Sequence, residues 1–158
     1  READLREANL READLRGAYL QGADLQEAKI DSFALNSHDY MIVPEEGEFL
    51  AYKSVLRKQG DKAILTLRIP VDAERTSCLI NRKCRVSKAM PVRAEDLSGN
   101  AIDDTEFVSD YRTGAYADNP FVWRLNEIAE SDSFDPSPLV DCSHGLHVFV
   151  TKKEARKW

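Results

Sequence analysis

Of the three cysteines and three histidines in this sequence, Cys84, Cys142, His144 and His147 are the candidates to hold a metal or attack electrophilic carbon. Three of them cluster near the C-terminus in the run Cys142-Ser143-His144-Gly145-Leu146-His147. Zinc takes about four ligands in a tetrahedron, mostly thiolate and imidazole. The C-x-H-x-x-H spacing is not one of the usual paired knuckles, and a second pair is missing, so the fold would have to deliver Cys84. We therefore expect no cofactor and no metal that folding depends on, with Cys84, Cys142, His144 and His147 as the only metal candidates. The enzymatic use of the same residues makes Cys142 a nucleophile and His147 its base. It needs the imidazole within hydrogen-bond reach of the thiol and a third group, such as Asp141 or Asp132, to orient it. A nucleophilic thiol also needs an electropositive setting, and in sequence Arg82, Lys83 and Arg85 flank Cys84, not Cys142. The least demanding reading is a structural cysteine with a hydrogen-bonded histidine. If Gly145 opens a strand, His147 falls on the face opposite Leu146, Val148 and Val150. No Gly-rich phosphate loop occurs. The stretch 111–120, rich in tyrosine and turn formers, reads as a long surface connection more readily than as a binding loop.

The elements that must position these residues read mostly as strands. Residues 49–56 form one, 58–61 a hairpin-like connection, and 62–69 a second, with Ala63, Leu65, Leu67 and Ile69 alternating onto one face. Pro70 ends it. Residues 72–75 read as a turn, 84–92 as a third strand, and 95–104 as a loop. Residues 122–128 and 145–151 give a fourth and a fifth strand. In the third, Cys84, Val86, Lys88 and Met90 alternate against Arg85, Ser87, Ala89 and Pro91. The tail 152–158 reads as a short helix with Ala155 and Trp158 inward, and Thr151 with Glu154 as its capping box.

The first thirty-five residues follow another rule. Every fifth position is aliphatic: Leu5, Leu10, Leu15, Leu20, Leu25, Ile30 and Leu35, with alanine two places earlier in all but the last block. Arg, Glu, Ala and Leu favour helices, yet steps of five rotate each aliphatic by about 140° at roughly 100° per residue, so no apolar stripe forms. A period of five also breaks the alternation of a strand. A chain that turns a corner every five residues fits, with the aliphatic and alanine positions inward and the Asp or Asn between them outward. Four sides would place Leu5 under Leu25, Leu10 under Ile30 and Leu15 under Leu35.

The blocks A-D-L-x-x and A-N-L-x-x resemble the pentapeptide repeat family, which implies a right-handed quadrilateral β-helix, here under two coils long. Solenoids need several repeats and a cap at each end, and the chain opens at Arg1 inside a repeat, so we expect a fragment of a longer or processed protein. A second resemblance spans AYKSVL, LTLRIPVDAERTS, RKCRVSKAMPV, WRLNEIAESDSFD and CSHGLHVFVTKKEA. This order is similar to a domain of unassigned function that follows pentapeptide repeats in phage and giant-virus proteins. The expected organisation is a repeat stub over 1–35, a linker over 36–47 and a mainly β (α+β) head over 48–158 with a short terminal helix.

The net charge of −6 argues against direct binding of nucleic acid through phosphates. No apolar run approaches membrane-spanning length, so no membrane association is expected. Three cysteines make an odd, sparse set, which fits a reducing compartment better than a disulfide framework. The expected function is a non-enzymatic structural or protein-interaction module of a phage protein, in the infected host's cytoplasm or on the virion. It would have a protein partner, and homo-oligomerisation stays open. The alternatives are a DNA-mimic inhibitor of a type II topoisomerase, and a ligand-binding or Cys/His enzyme domain. The repeat register makes a direct prediction. Leu15→Asp puts an unpaired carboxylate inside and should cost several kcal/mol (~2–5), whereas Asp14→Ser, facing outward, should cost about 0.5 or less. Thermal melts that fall equally for both would exclude the register.

Overall fold

The computed structural model describes residues 3–11, 13–15, 18–20, 22–25, 27–30, 41–110 and 120–158. Expectations for Leu35, for residues 36–40 of the expected 36–47 linker and for 111–119 lie outside these residues. The described chain is mainly β, with antiparallel sheets that stay open and one four-residue helix. Strands β1 (Phe49–Leu56), β2 (Lys62–Ile69), β5 (Lys88–Glu95), β6 (Glu106–Ser109), β7 (Val122–Arg124) and β8 (Ala129–Glu130) form a six-stranded sheet in the order β7-β6-β1-β2-β5-β8. Strands β3 (Arg75–Ser77), β4 (Cys84–Val86) and β9 (Leu146–Val148) form the second sheet, in the order β3-β4-β9.

The β1–β2 hairpin pairs in unbroken register from Phe49↔Ile69 to Leu56↔Lys62, at the two segments and the connection that the sequence predicts. Its turn is closed by Arg57 N–H donating to the Asp61 carbonyl at 2.8 Å. β2 is buried on both faces. Ala63, Leu65, Leu67 and Ile69 enter the main core with Val55, Val86, Phe107, Trp123 and Val148. On the other face Ile64 packs with Phe149, Ala155 and Tyr52 beneath the terminal helix α1 (Lys152–Ala155). Trp123 satisfies its indole N–H on Ser109 Oγ at 2.9 Å, as a buried indole must.

The single strand expected over 84–92 is two strands in different sheets. Ser87 is the corner: its N–H donates to Glu74 O at 2.9 Å and its Oγ accepts from Glu74 N–H at 2.9 Å. Within β5, Pro91 has no N–H to donate, and the ladder with β2 slips there, from Thr66↔Arg93 to Leu67↔Pro91. The extra residue, Val92, is an exposed bulge. A bulge changes the parity of the strand, so Ala89 and Pro91 face inward before it and Ala94 after it. Alternation across the whole segment requires Lys88 and Met90 to share a face with Cys84 and Val86; they do not, because the turn at Ser87 lies between the two pairs. The strand expected over 122–128 is likewise interrupted, at Asn126, which takes φ 63°, and β3 and β6 are strands beyond those the sequence predicts.

α1 carries the predicted capping box between Thr151 and Glu154, and Ala155 is buried. Trp158 is not inward; it is 56% exposed and stacks on Phe149 at 5.8 Å. The helix is tied down by the buried Glu95, which accepts from Lys152 Nζ at 2.7 Å and Arg156 at 3.4 Å.

The repeat segment pairs with itself at a constant offset. Parallel bridges join Asp4 to Asp24 and Asn9 to Lys29, with Leu5 N–H donating to Asp24 O and Leu10 N–H to Lys29 O, both at 2.8 Å. Glu7 and Glu27 repeat the same left-handed backbone at φ 57° and 59°. Leu20, Ala23 and Leu25 are buried, with Leu5, Leu10, Leu15 and Ile30 packed against them. Asp4, Asn9, Asp14 and Asp24 face out, and Tyr19 is 85% exposed. Because β2 has no solvent face at Leu65, Leu65→Ala should cost about 2–5 kcal/mol. Leu97→Ala, at a position 48% exposed, should cost about 0.5 or less; urea melts of the two variants check the difference.

Candidate functional site

β4 is the middle strand of the small sheet, and its alternation decides which groups meet. Cys84 and Val86 point into the core, and Arg85 points the other way yet is only 2% exposed. A buried guanidinium must find acceptors for its donors. Arg85 donates to the Asp135 carbonyl at 3.2 Å and to the carbonyls of Ser137 and Val140. Gly145 permits this close packing: at φ 130°, a side chain there would press on Arg85 Cβ and the Phe134 ring, each at 3.3 Å. The 135–140 segment is thereby fixed against β4, and it carries Asp141 and Cys142 with it.

The result is a polar cluster that sequence proximity does not reveal. Lys83, whose side chain is 7% exposed, places Nζ 3.1 Å from Cys142 Sγ and 3.0 Å from Asp141 Oδ1. The same ammonium lies 4.8 Å from the centre of the Trp158 ring. Asn81 joins the two loops, donating to Asp141 Oδ1 at 2.6 Å and accepting the Lys83 N–H at 2.8 Å. Burial alone would push the Lys83 ammonium down, but the hydrogen bonds to Cys142 and Asp141 outweigh it and leave it raised. Asp141 is opposed by burial too, and its bonds to Asn81 and Lys83 hold it below the usual carboxylate range. Nearby, Lys53 donates to the His147 carbonyl at 3.1 Å and faces the Trp123 ring at 5.6 Å. Burial and then the like charge of Lys83 bring Lys53 down to about 8.

The four sequence candidates are divided. Cys84 is fully buried; its sulfur lies 3.6 Å from Ser77 Oγ, and burial pushes its thiol up to about 11. Cys142 is exposed. His144 is exposed as well, with Nδ1 3.8 Å from Asp132. His147 lies on the face of β9 opposite Leu146 and Val148, as alternation requires, and its Nε2 is buried without a hydrogen-bond partner. Among the described residues no three His, Cys, Asp or Glu side chains are grouped to hold a metal. The expectation that the basic residues serve Cys84 and not Cys142 is reversed by the fold. Inward parity at Cys84 sends Lys83 outward to Cys142, while Arg85 turns to carbonyls. The group on the Cys142 sulfur is this ammonium, not an imidazole. Chemically, an exposed thiol beside a fixed cation is suited to react with electrophiles. Asp141 was legible only as a neighbour of Cys142; nothing local to Lys83 signalled its role.

The profile described as a family of unknown function (DUF5758) matches residues 39–155. Pentapeptide repeats (8 copies) match residues 1–32. No curated protein and no solved structure matches the chain.

His147 gives the site a pH signature. Burial first, then the positive charges of Lys83, Lys53 and Arg85, push it from 6.5 down to about 4, with Asp141 partly opposing. Between these values the unfolded chain takes up a proton that the folded chain refuses. Stability therefore falls as pH drops from about 6.5 towards 4, by on the order of 3 kcal/mol. Urea unfolding at pH 7 and pH 4.5 should show the loss, and His147→Gln should remove most of it; an equally steep loss in that variant would rule His147 out as its source.

Proposed function

This chain belongs to the DUF5758 family of unknown function, and on that footing we propose that it is a non-enzymatic structural and protein-interaction module. In this reading a pentapeptide-repeat rod, a right-handed quadrilateral β-helix, is held by a mainly β head. One observation carries it: the seam between the two. Leu20, Ala23 and Leu25 of the repeat share a cluster with Leu79, Ile80 and Leu139 of the head, and Gly22 N–H donates to the Ile80 carbonyl at 2.7 Å. Apolar side chains and a backbone bond across the seam remove the freedom that a tether would leave. The outward Asp4, Arg6, Asn9, Asp14 and Asp24 are then offered to a partner at a fixed angle to the head. The offset of twenty residues between paired positions supports four sides per coil. A phage or giant-virus setting, as virion component or host-directed protein, is part of the same proposal and rests on the resemblance of the head's sequence order alone.

Leu139→Asp tests the seam and the function together. A carboxylate at this half-buried position, packed against the Leu20, Ala23 and Leu25 cluster, should weaken docking by about 2 kcal/mol. Amide exchange at Leu5, Leu10 and Lys29 should then rise at least about tenfold, while the β1–β2 amides stay protected. A partner that binds the immobilised full chain saturably, and is displaced by free chain, should bind Leu139→Asp less. Unchanged exchange at the repeat amides, or undiminished partner binding once docking is lost, would overturn the reading.

A further inference from the structure

The pair Lys83–Cys142 has no part in the interaction role, and its geometry is that of two reacting groups already in contact. The sulfur is exposed and the amine nitrogen sits 3.1 Å from it. Neither partner is free to wander. Lys83 is almost enclosed, flanked by Asp141 at 3.0 Å and the Trp158 ring, and Cys142 follows directly on the segment clamped by Arg85. Cys78 and Cys84 are buried, and burial raises both thiols, so oxidants in solution meet Cys142 first.

We propose that Cys142 and Lys83 form a peroxide-dependent cross-linking site, in which a hydroperoxide oxidises the sulfur and the lysine amine closes on it to give a sulfenamide. In the first step the thiolate sulfur attacks the peroxide: an S–O bond forms, the O–O bond breaks, sulfur loses two electrons and hydrogen peroxide is reduced to water. In the second step the neutral amine attacks the sulfenic sulfur. The S–N bond forms, the S–O bond breaks, and the hydroxyl leaves as water with one amine proton. One thiol, one amine and one hydrogen peroxide thus give one sulfenamide and two waters. The ammonium must first lose a proton to solvent base, against the Asp141 carboxylate that holds it at 3.0 Å. Because hydrogen bonds to Cys142 and Asp141 keep Lys83 protonated, closure accelerates as pH rises. The new bond would join the 78–83 loop to the 135–142 loop, the two segments that contact the repeat.

The test treats the full chain with excess hydrogen peroxide at pH 7 and pH 9, followed by intact mass and peptide mapping. The expected result is a loss of about 2 Da in a peptide that joins positions 83 and 142, formed faster at pH 9 and reversed by dithiothreitol. Cys142→Ser should abolish it. Lys83→Arg should instead leave Cys142 carrying one or two added oxygen atoms, and the double variant Cys78→Ser/Cys84→Ser should still cross-link. A mass loss that maps to a disulfide among Cys78, Cys84 and Cys142 would overturn the proposal. So would over-oxidation of Cys142 in the unaltered chain with no join to Lys83. Should Lys83→Arg fail to fold, the peptide map of the unaltered chain decides alone.

Discussion

A guanidinium withdrawn from water has five donors and no acceptor of its own, and it will accept only an arrangement that supplies oxygen. Arg85 is in that position, and the oxygens it finds are the backbone carbonyls of Asp135, Ser137 and Val140. Main-chain carbonyls come in fixed sequence along a segment, so satisfying the arginine dictates the path of 135–140. Two outcomes follow from that one path. Leu139 is turned toward the repeat core, and Asp141 and Cys142 are turned toward Lys83. The docking seam and the polar cluster are therefore two sides of one platform, and the residue that sets both acts through backbone carbonyls. Charge removed at Arg85 would leave three carbonyls seeking donors, a larger disturbance than the loss of any one contact on the platform.

The parts of the fold legible in the sequence are those in which local alternation and tertiary burial agree. Ala63, Leu65, Leu67 and Ile69 of β2 show this, since they alternate in sequence and all enter the main core, and the turn before them carries Gly60, which adopts φ 95°. The repeat period was legible for a similar reason: one short pattern, repeated, imposes the same geometry each time. Where a local pattern had two solutions, the sequence did not choose. Residues 84–92 alternate as well as one strand does, and only the side-chain and backbone bonds of Ser87 to Glu74 show that the chain turns between sheets. β3 and β6 are too short to carry a period at all, at three and four residues.

The candidate site was half legible. Cys142 and His147 stood out by residue type, and the placement of His147 opposite Leu146 followed from alternation. What the sequence hid was partnership across distance. Lys83 and Cys142 are separated by most of the head in sequence, and the lysine lies next to a different cysteine. A reader of the sequence assigns a charge to its neighbour, whereas a strand sends adjacent side chains to opposite faces. Gly145 is the residue in the motif whose need is clearest after the fact, because Arg85 and Phe134 occupy the space where its side chain would stand.

The way β9 closes the molecule bears on how the protein must be made. Cys84 pairs with Val148, and Tyr52 exchanges backbone hydrogen bonds with Phe149 at 2.7 and 2.8 Å. Each of these contacts joins the head's last strand region to segments synthesised long before it. Contacts of such long range are slow to form, because loop-closure entropy must be met before they can stabilise anything. On the ribosome, the β1–β2 hairpin emerges early, with Ile64 lacking its Phe149 and Ala155 cover. An aliphatic strand waits in this state with one face unsheltered, and such intermediates are prone to aggregate. The cell's demand on this sequence would then fall less on the finished structure than on the interval between the appearance of Ile64 and the release of Phe149 from the exit tunnel.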